Sequence, residues 1–112
     1  MSEEPKRVQL KRTKGWRMPA NTVKVDRSTR WGNPFVVGSG NPERFAISHD
    51  DAVYLFRRQL RHGFYSARVT GQGTTRVTID DIRNELRGKN LACWCPLDSP
   101  CHADVLLEIA NR

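Results

Sequence analysis

The sequence predicts an α/β fold in which about three helices pack against a small mixed sheet in a single domain. Three observations favour this class. Short runs of alternating polar and apolar residues near the N-terminus are typical of strands, and two segments in the middle of the chain carry apolar residues at helical spacing. The chain then ends with an apolar run of strand length and a further helical pattern. At 112 residues, the chain can build one modest core and is too short for two.

The strands are predicted from alternation and from the residues that interrupt it. Residues 1–6 are expected to form a tail, followed by strands over 7–12 and 22–25 and a terminal strand over 90–95. The intervening segment 64–76 is rich in glycine and threonine and has no clear period, so it is predicted to be a loop.

The helices are predicted from capping residues and apolar spacing. They cover three segments, which are 48–62, 78–88 and 99 to the C-terminus. In the last of these, Ser99 is a good N-cap residue, and Pro100 suits the first helical position because that position needs no N–H donor. Cys101 and His102 are then expected in the first turn of the last helix, where Cys101 is predicted to be partly exposed.

The chain is basic, with a net charge of +7 and a pI of about 9.9. This charge favours a nucleotide or another phosphorylated small molecule as partner, and nucleic acid is a further candidate. No apolar run approaches the roughly 20 residues of a membrane helix, and the N-terminus lacks the apolar stretch of a signal peptide. We therefore expect a cytoplasmic protein without membrane attachment, whose three cysteines are thiols or metal ligands and not disulfides. Composition predicts no particular oligomeric state.

The junction between the last strand and the last helix is the predicted ligand site. Open α/β sheets usually bind phosphorylated ligands at such junctions, where free N–H groups and the helix dipole favour anions. The same field lowers the pKa of a thiol. Cys101 is therefore the candidate nucleophile, His102 the candidate acid or base, and Asp104 the residue that orients its neighbour. Cys93, in an apolar strand, is expected to be buried and unreactive.

A second segment, 26–37, combines arginines, hydroxyl groups, an indole ring and an Asn-Pro turn. Arginine offers a planar fork to phosphate, and an indole ring offers a face to a nucleotide base. We expect this segment to lie against the strand-to-helix junction and to form one site with it. The predicted ligand-binding residues are Arg27, Arg30, Trp31, Asn33 and Ser99. The alternative is a structural turn in which Trp31 and Phe35 fill the core and the arginines are solvated.

The cysteines allow a metal site as an alternative to a reactive thiol. Along a strand, Cys93 and Cys95 point to the same face, and with Cys101 they could supply three ligands of a tetrahedral zinc ion. Two features oppose this site. Zinc ligands are usually separated by at least about two residues, and neighbours such as Cys101 and His102 diverge by about 100° around a helix. No cofactor is therefore favoured, and zinc is the candidate if a metal is present.

Two motifs carry a resemblance to a known family. They are RWGNPF at residues 30–35, and CWC at 93–95 followed by CHADVL at 101–106. Together with RVQL at 7–10, they resemble the bacterial and phage family called domain of unknown function 4326, over residues 7–111. The resemblance implies a small stand-alone protein in a bacterial cell, often phage-encoded, and it implies no particular reaction.

Three functions are consistent with the sequence. The first is a domain that binds a phosphorylated nucleotide-type ligand and acts on it through Cys101 and His102. The second is a non-catalytic phage-type binder that sequesters a nucleotide signal or contacts nucleic acid. The third is an adaptor stabilised by zinc. The arginines are scattered, without a lysine-rich arm or a series of aromatic residues, which favours a mononucleotide over a long nucleic acid and a shallow dependence of binding on salt.

Overall fold

A computed structural model describes residues 4–69 and 73–112 of the chain, so that residues 1–3 of the predicted tail lie outside the described ranges. Within these ranges, three α-helices and seven short strands follow one another along the sequence. The strands are β1 (Arg7–Gln9), β2 (Thr22–Lys24), β3 (Val36–Val37), β4 (Phe45–Ala46), β5 (Phe64–Val69), β6 (Gly73–Thr78) and β7 (Asn90–Cys93). The helices are α1 (His49–Arg61), α2 (Ile79–Leu86) and α3 (His102–Ala110), and a 3-10 turn covers Pro42–Arg44.

The central sheet has three parallel strands in the order β1-β7-β2. Leu91, Ala92 and Cys93 of β7 are almost completely buried, as is usual for the middle strand of a parallel sheet. Backbone pairing continues past the two outer strands. Leu10 N–H donates to Cys93 O over 2.8 Å, and Val25 N–H donates to Ala92 O over 2.8 Å. The segments that follow β1 and β2 are thereby held beside the end of β7.

The other strands form two small two-stranded sheets among the described residues. β3 and β4 pair in parallel, and β5 and β6 pair as an antiparallel hairpin. Parallel and antiparallel pairs combined with three helices confirm the predicted α/β class. The strands are divided among separate small sheets and do not form one mixed sheet.

The core lies between the central sheet, the hairpin and the helices. Its largest side chains include Phe56 and Leu60 from α1, Tyr65 from β5, and Ile82 and Leu86 from α2. The rings of Phe56 and Tyr65 meet edge to face with their centroids 4.8 Å apart. Burial of each such aliphatic or phenyl side chain contributes about 1.5–3 kcal/mol, so α1, α2 and the hairpin are held mainly by this shared core.

The predicted starts of the first two helices are confirmed. Ser48 Oγ accepts a hydrogen bond from Asp51 N–H over 3.0 Å at the start of α1. Thr78 and Asp81 form a reciprocal capping box at the start of α2, with bonds of 3.1 and 3.0 Å. Among the described residues, no helix combines the length and apolar character needed to cross a membrane.

The prediction of a loop over 64–76 is wrong, because these residues form most of the β5-β6 hairpin. Tyr65 and Ala67 are buried from β5, and Val77 is buried from β6. Residues 70–72 of the predicted loop lie outside the described residues. The glycine and threonine content obscured a two-residue alternation, and threonine and tyrosine favour strands once a partner strand and a core surface are present.

The last helix starts later than predicted. Cys101 is its N-cap residue, with an extended backbone (φ −149°, ψ 149°), and α3 itself begins at His102. Ser99 lies instead in a turn, where its N–H donates to Pro96 O over 3.1 Å. The helix start is capped by Asp104, whose Oδ2 accepts from Cys101 N–H over 3.2 Å. Because it precedes the helix and points inward, Cys101 is fully buried and not partly exposed as predicted.

Candidate metal and ligand site

Three cysteine side chains come together where β7 ends and α3 begins, and we call them the cysteine cluster. Cys93 is the last residue of β7, Cys95 follows after the chain bends, and Cys101 precedes α3. Their sulfur atoms all lie within 4.8 Å of one another. All three residues are free thiols, with Cys93 and Cys101 buried and Cys95 half-buried. Such a group could hold a metal ion.

The geometry of the cysteine cluster suits a tetrahedral thiolate site. Zinc–sulfur bonds of about 2.3 Å place two sulfur ligands about 3.8 Å apart. The Sγ atoms of Cys93 and Cys101 are 2.9 Å apart, so a bound ion would have to separate them by about 0.9 Å. Of the two features that opposed a metal site, the short spacing between Cys93 and Cys95 is compensated by a bend in the chain, and the helical divergence of Cys101 from His102 does not apply. β7 ends at Cys93, which frees Cys95 from strand geometry, and Cys101 lies outside α3, so it does not diverge from His102 by the helical angle.

The pKa of Cys101 was predicted to be lowered and Cys93 to be the unreactive thiol, but the structure lowers the pKa of Cys93 and raises that of Cys101. A hydrogen bond between the thiols of Cys93 and Cys101 lowers the pKa of Cys93 despite the burial of Cys93. The same hydrogen bond, together with burial, raises the pKa of Cys101 to about 11. Burial raises the pKa of Cys95 to about 11 as well. The expectation of an exposed and acidic Cys101 thiol is therefore wrong, because this side chain lies in the core against Cys93.

His102 is buried at the start of α3 and is held in one orientation. Its Nε2 atom lies 2.6 Å from the backbone oxygen of Val25, just after β2. Because a carbonyl oxygen can only accept, Nε2 carries a hydrogen, and in the neutral imidazole the lone pair is then on Nδ1. Nδ1 lies 3.5 Å from Cys101 Sγ. The neutral form of His102 therefore presents a hydrogen-bond acceptor to the cysteine cluster.

A cavity of about 290 Å³ opens beside the cysteine cluster, and we call it the thiol cavity. Cys93 and Cys95 form part of its wall, and the rest comes from β3, α1, the start of α3 and the loop between β2 and β3. Its other polar lining residues are Asp26, Arg27, Asn33, His49 and His102. The structure thus brings Arg27 and Asn33 to the strand-to-helix junction. Asp26 and His49 were not predicted as site residues.

The buried side chain of Asn33 holds the loop between β2 and β3 in place through hydrogen bonds. Asn33 is 5% exposed, its Nδ2 donates to Ala52 O in α1 over 3.0 Å, and its Oδ1 accepts from Phe35 N–H over 2.9 Å. Arg27 adds bonds from Nε to Asn33 O (3.2 Å) and from a terminal nitrogen to Phe35 O (3.0 Å). Both polar atoms of the Asn33 side chain are therefore engaged within the protein, where they shape the cavity wall.

Asn33→Ala is expected to lower the free energy of unfolding by about 2–3 kcal/mol, because it removes the two hydrogen bonds through which this buried side chain joins Ala52 of α1 to Phe35. Urea unfolding followed by circular dichroism measures this change. Asn84→Ala is the matched control, since Asn84 is exposed on α2, and it should alter stability by less than about 0.5 kcal/mol. Equal unfolding midpoints for the two variants would contradict the role assigned to Asn33.

Asp26 joins the same loop to the end of β7. Its Oδ2 accepts from Trp94 Nε1–H over 2.9 Å, and its Oδ1 accepts from Ser28 N–H over 3.1 Å. Burial alone would raise the pKa of Asp26, but the hydrogen bonds from Ser28 and Trp94 and the charge of Lys24 outweigh it and hold the pKa below its ordinary value. The available sequence signal was the Asp-x-Ser pattern, which is typical of a turn closed by the aspartate side chain.

Arg30 and Trp31 lie away from the thiol cavity, although both were predicted to bind the ligand there. The Arg30 guanidinium forms an ion pair with Glu85 on α2 and stacks on the Trp31 ring, 4.5 Å from its centroid. Trp31 is 6% exposed and belongs to the core. The interpretation of Trp31 as a stacking face for a base is therefore wrong, and the structural alternative holds for this residue. Trp94 keeps an accessible indole, with 41% exposure.

Asp104 and Ser99 are likewise outside the lining of the thiol cavity. Asp104 accepts from Arg7 over 3.0 Å in addition to capping α3. Arg7 also donates to Pro96 O over 2.8 Å. This arginine from β1, which sequence reasoning missed, ties the loop between β7 and α3 to the start of the helix and so sets the position of the cysteine cluster.

The fold and the site define a small α/β domain with a cysteine cluster on the wall of a cavity. The family model described as domain of unknown function (DUF4326) matches residues 8–112. The chain belongs to this family, as its two motifs indicated. No curated protein and no solved structure matches the chain.

Proposed function

We propose that this domain binds a phosphorylated, nucleotide-type small molecule in the thiol cavity, beside a zinc ion held by Cys93, Cys95 and Cys101. The observation that carries the proposal is that two residues of the cysteine cluster, Cys93 and Cys95, line this cavity. A ligand in the cavity would contact the metal centre and the basic side chains of the wall at the same time.

Zinc is the metal that the donor set favours. Thiolate sulfur is a soft ligand, and thiolate groups in tetrahedral arrangement are typical of zinc. Coordination requires the thiolate form, so Cys101 serves as a ligand in this proposal and not as a nucleophile. Sites with three protein ligands leave a fourth position for water or a ligand. Because Cys93 and Cys95 line the thiol cavity, a zinc ion held by these residues would lie close to its wall.

Arg27 is the group in the thiol cavity that best suits a phosphate. It is exposed, and its guanidinium uses Nε and one terminal nitrogen for the loop carbonyls, which leaves further N–H groups to donate to an anion. The net charge of +7 attracts anionic ligands to the domain. Val36 and Val53 add apolar wall for a sugar or base, and the exposed Trp94 supplies an indole near Asp26.

Arg27→Gln is expected to weaken the binding of a nucleoside 5′-monophosphate at least about tenfold, because a hydrogen bond to a charged group contributes about 1.5–3 kcal/mol. Isothermal titration calorimetry on zinc-loaded protein measures the Kd, and its dependence on salt should be shallow. Arg83→Gln is the control, since it makes the same charge change at an exposed position of α2. A nucleoside that binds as tightly as its phosphate would contradict a phosphate-directed site.

The burial of the cysteine cluster supports a second role for the same zinc ion in stabilising the fold. Cys93 and Cys101 are 1% and 0% exposed and are part of the core. A metal ion between them would link β7 to α3, so its free energy of binding would also be free energy of folding. If zinc were only structural, as in an adaptor, the titration with nucleotides would show no binding while the metal content stayed the same.

A further inference from the structure

A second cavity of about 290 Å³ adjoins the thiol cavity, and we call it the arginine cavity. Arg27, Asn33 and Val36 line both cavities, so the loop between β2 and β3 forms their common wall. The rest of the arginine cavity is formed by the segment before β4 and by β5. Its positively charged lining residues are Arg27, Arg44 and Arg68.

Among the residues that the structure describes, the three arginines have no acidic partner in this cavity. No aspartate or glutamate belongs to its lining, and within residues 4–69 and 73–112 none of the three forms an ion pair. The cavity between α1 and α3 is different, because there Glu108 pairs with both Arg57 and Arg112. The arginine cavity therefore carries three positive charges that an anionic ligand can neutralise, whereas in the cavity between the helices Glu108 offsets one of the positive charges of Arg57, Arg61 and Arg112.

Neutral donors complete the wall of the arginine cavity. Ser39 Oγ accepts from Asn41 N–H over 3.1 Å, which leaves the serine O–H able to donate. Asn41 Oδ1 accepts from Glu43 N–H over 3.0 Å, which leaves the side-chain NH2 group of Asn41 able to donate. Gly32 brings backbone to the wall without a side chain. Guanidinium, hydroxyl and amide donors around one cavity match the oxygen atoms of phosphate groups.

We propose that the arginine cavity is the subsite for the distal phosphates of the ligand, and that the ligand is a nucleoside 5′-diphosphate or 5′-triphosphate. This inference rests on the proposed function. One phosphate monoester carries about 1.5–2 negative charges at pH 7, fewer than three guanidinium groups supply. Two or more linked phosphates match these charges, and Arg27 contacts the phosphate chain where the two cavities meet.

Titration of the zinc-loaded protein with the mono- and diphosphates of one nucleoside tests the inference. The diphosphate should bind wild type at least about tenfold more tightly. The double variant Arg44→Gln/Arg68→Gln should lose this preference and keep its affinity for the monophosphate. Arg58→Gln/Arg83→Gln, at exposed helical positions, should keep the preference. Equal affinities in wild type, or a preference that survives in Arg44→Gln/Arg68→Gln, would overturn the inference.

Inorganic pyrophosphate separates a failure of this inference from a failure of the proposed function. It should bind wild type, and it should bind Arg44→Gln/Arg68→Gln at least about tenfold more weakly. If nucleotides do not bind while pyrophosphate behaves in this way, the nucleotide ligand is wrong and the phosphate subsite is supported. If pyrophosphate does not bind wild type, the subsite is refuted even when nucleoside monophosphates bind in the thiol cavity.

Discussion

Cys95→Ser is expected to reduce the zinc content of the purified protein from about one ion per chain to nearly none, because a hydroxyl group does not replace a thiolate ligand. The melting temperature should fall by about 10 °C or more, since zinc bound to small domains contributes many kcal/mol to folding. Cys95 is the informative position because it is half-buried, so the substitution itself disturbs the core less than a change at Cys93 or Cys101. Elemental analysis and differential scanning fluorimetry measure the two effects.

The matched control for this experiment is Ser99→Ala, which changes a half-buried side chain of the same loop without touching the cysteine cluster. It should retain both the metal and the melting temperature. Alkylation followed by mass spectrometry gives an independent measurement, because zinc-bound thiolates are shielded. All three cysteines should stay unlabelled until a chelator is added, and Cys95 should then react before its two buried neighbours. A melting temperature that no chelator changes, with Cys95 labelled at once, would contradict the zinc site.

Gly32→Ala is expected to destabilise the domain by about 3 kcal/mol or more and to impair both cavities. A Cβ atom at this position would lie 2.6 Å from Arg27 Cα and 2.7 Å from Asp26 O. Both contacts are with backbone atoms, so no side-chain rotation relieves them, and the loop between β2 and β3 must move. Urea unfolding and titration with pyrophosphate measure the two consequences.

Gly40→Ala is the control for Gly32→Ala, since a Cβ atom at Gly40 has no heavy atom within 4 Å and its backbone is not in the left-handed region. It should change stability by less than about 0.5 kcal/mol. If the two variants unfolded at the same urea concentration and bound pyrophosphate equally, the close packing of Gly32 against the backbone of residues 26 and 27 would not be a constraint on the site.

The helices and the central strand were predictable because their signals are local. Ser48 and Thr78 cap the helices that were expected to start there, and the apolar run that begins at Asn90 is the buried middle strand. The hairpin was not predicted, because its inward residues Tyr65 and Ala67 alternate within a glycine- and threonine-rich segment. These residues favour a strand only when they pair with a partner strand and pack against the apolar face of α1.

Of the residues predicted to form one site, the structure brings some together and separates others. Arg27, Asn33 and His102 line the thiol cavity, but Arg30 and Trp31 of the same loop do not. The directions in which the side chains of Arg30 and Trp31 point depend on residues that lie far from them in the sequence. Arg30 pairs with Glu85, and its backbone oxygen accepts from Tyr65 OH over 2.9 Å, which turns the adjacent indole into the core.

The sequence by itself determined the α/β class, the strand that ends in a cysteine, and the presence of three thiols around a polar loop. Only the tertiary structure decided that the three sulfur atoms converge and that Cys101 is buried. The physical reason is that the distances between the three sulfur atoms depend on the path of the loop between β7 and α3. That path is set by Arg7, from the other end of the chain, which donates to Pro96 O and to the Asp104 carboxylate that caps α3.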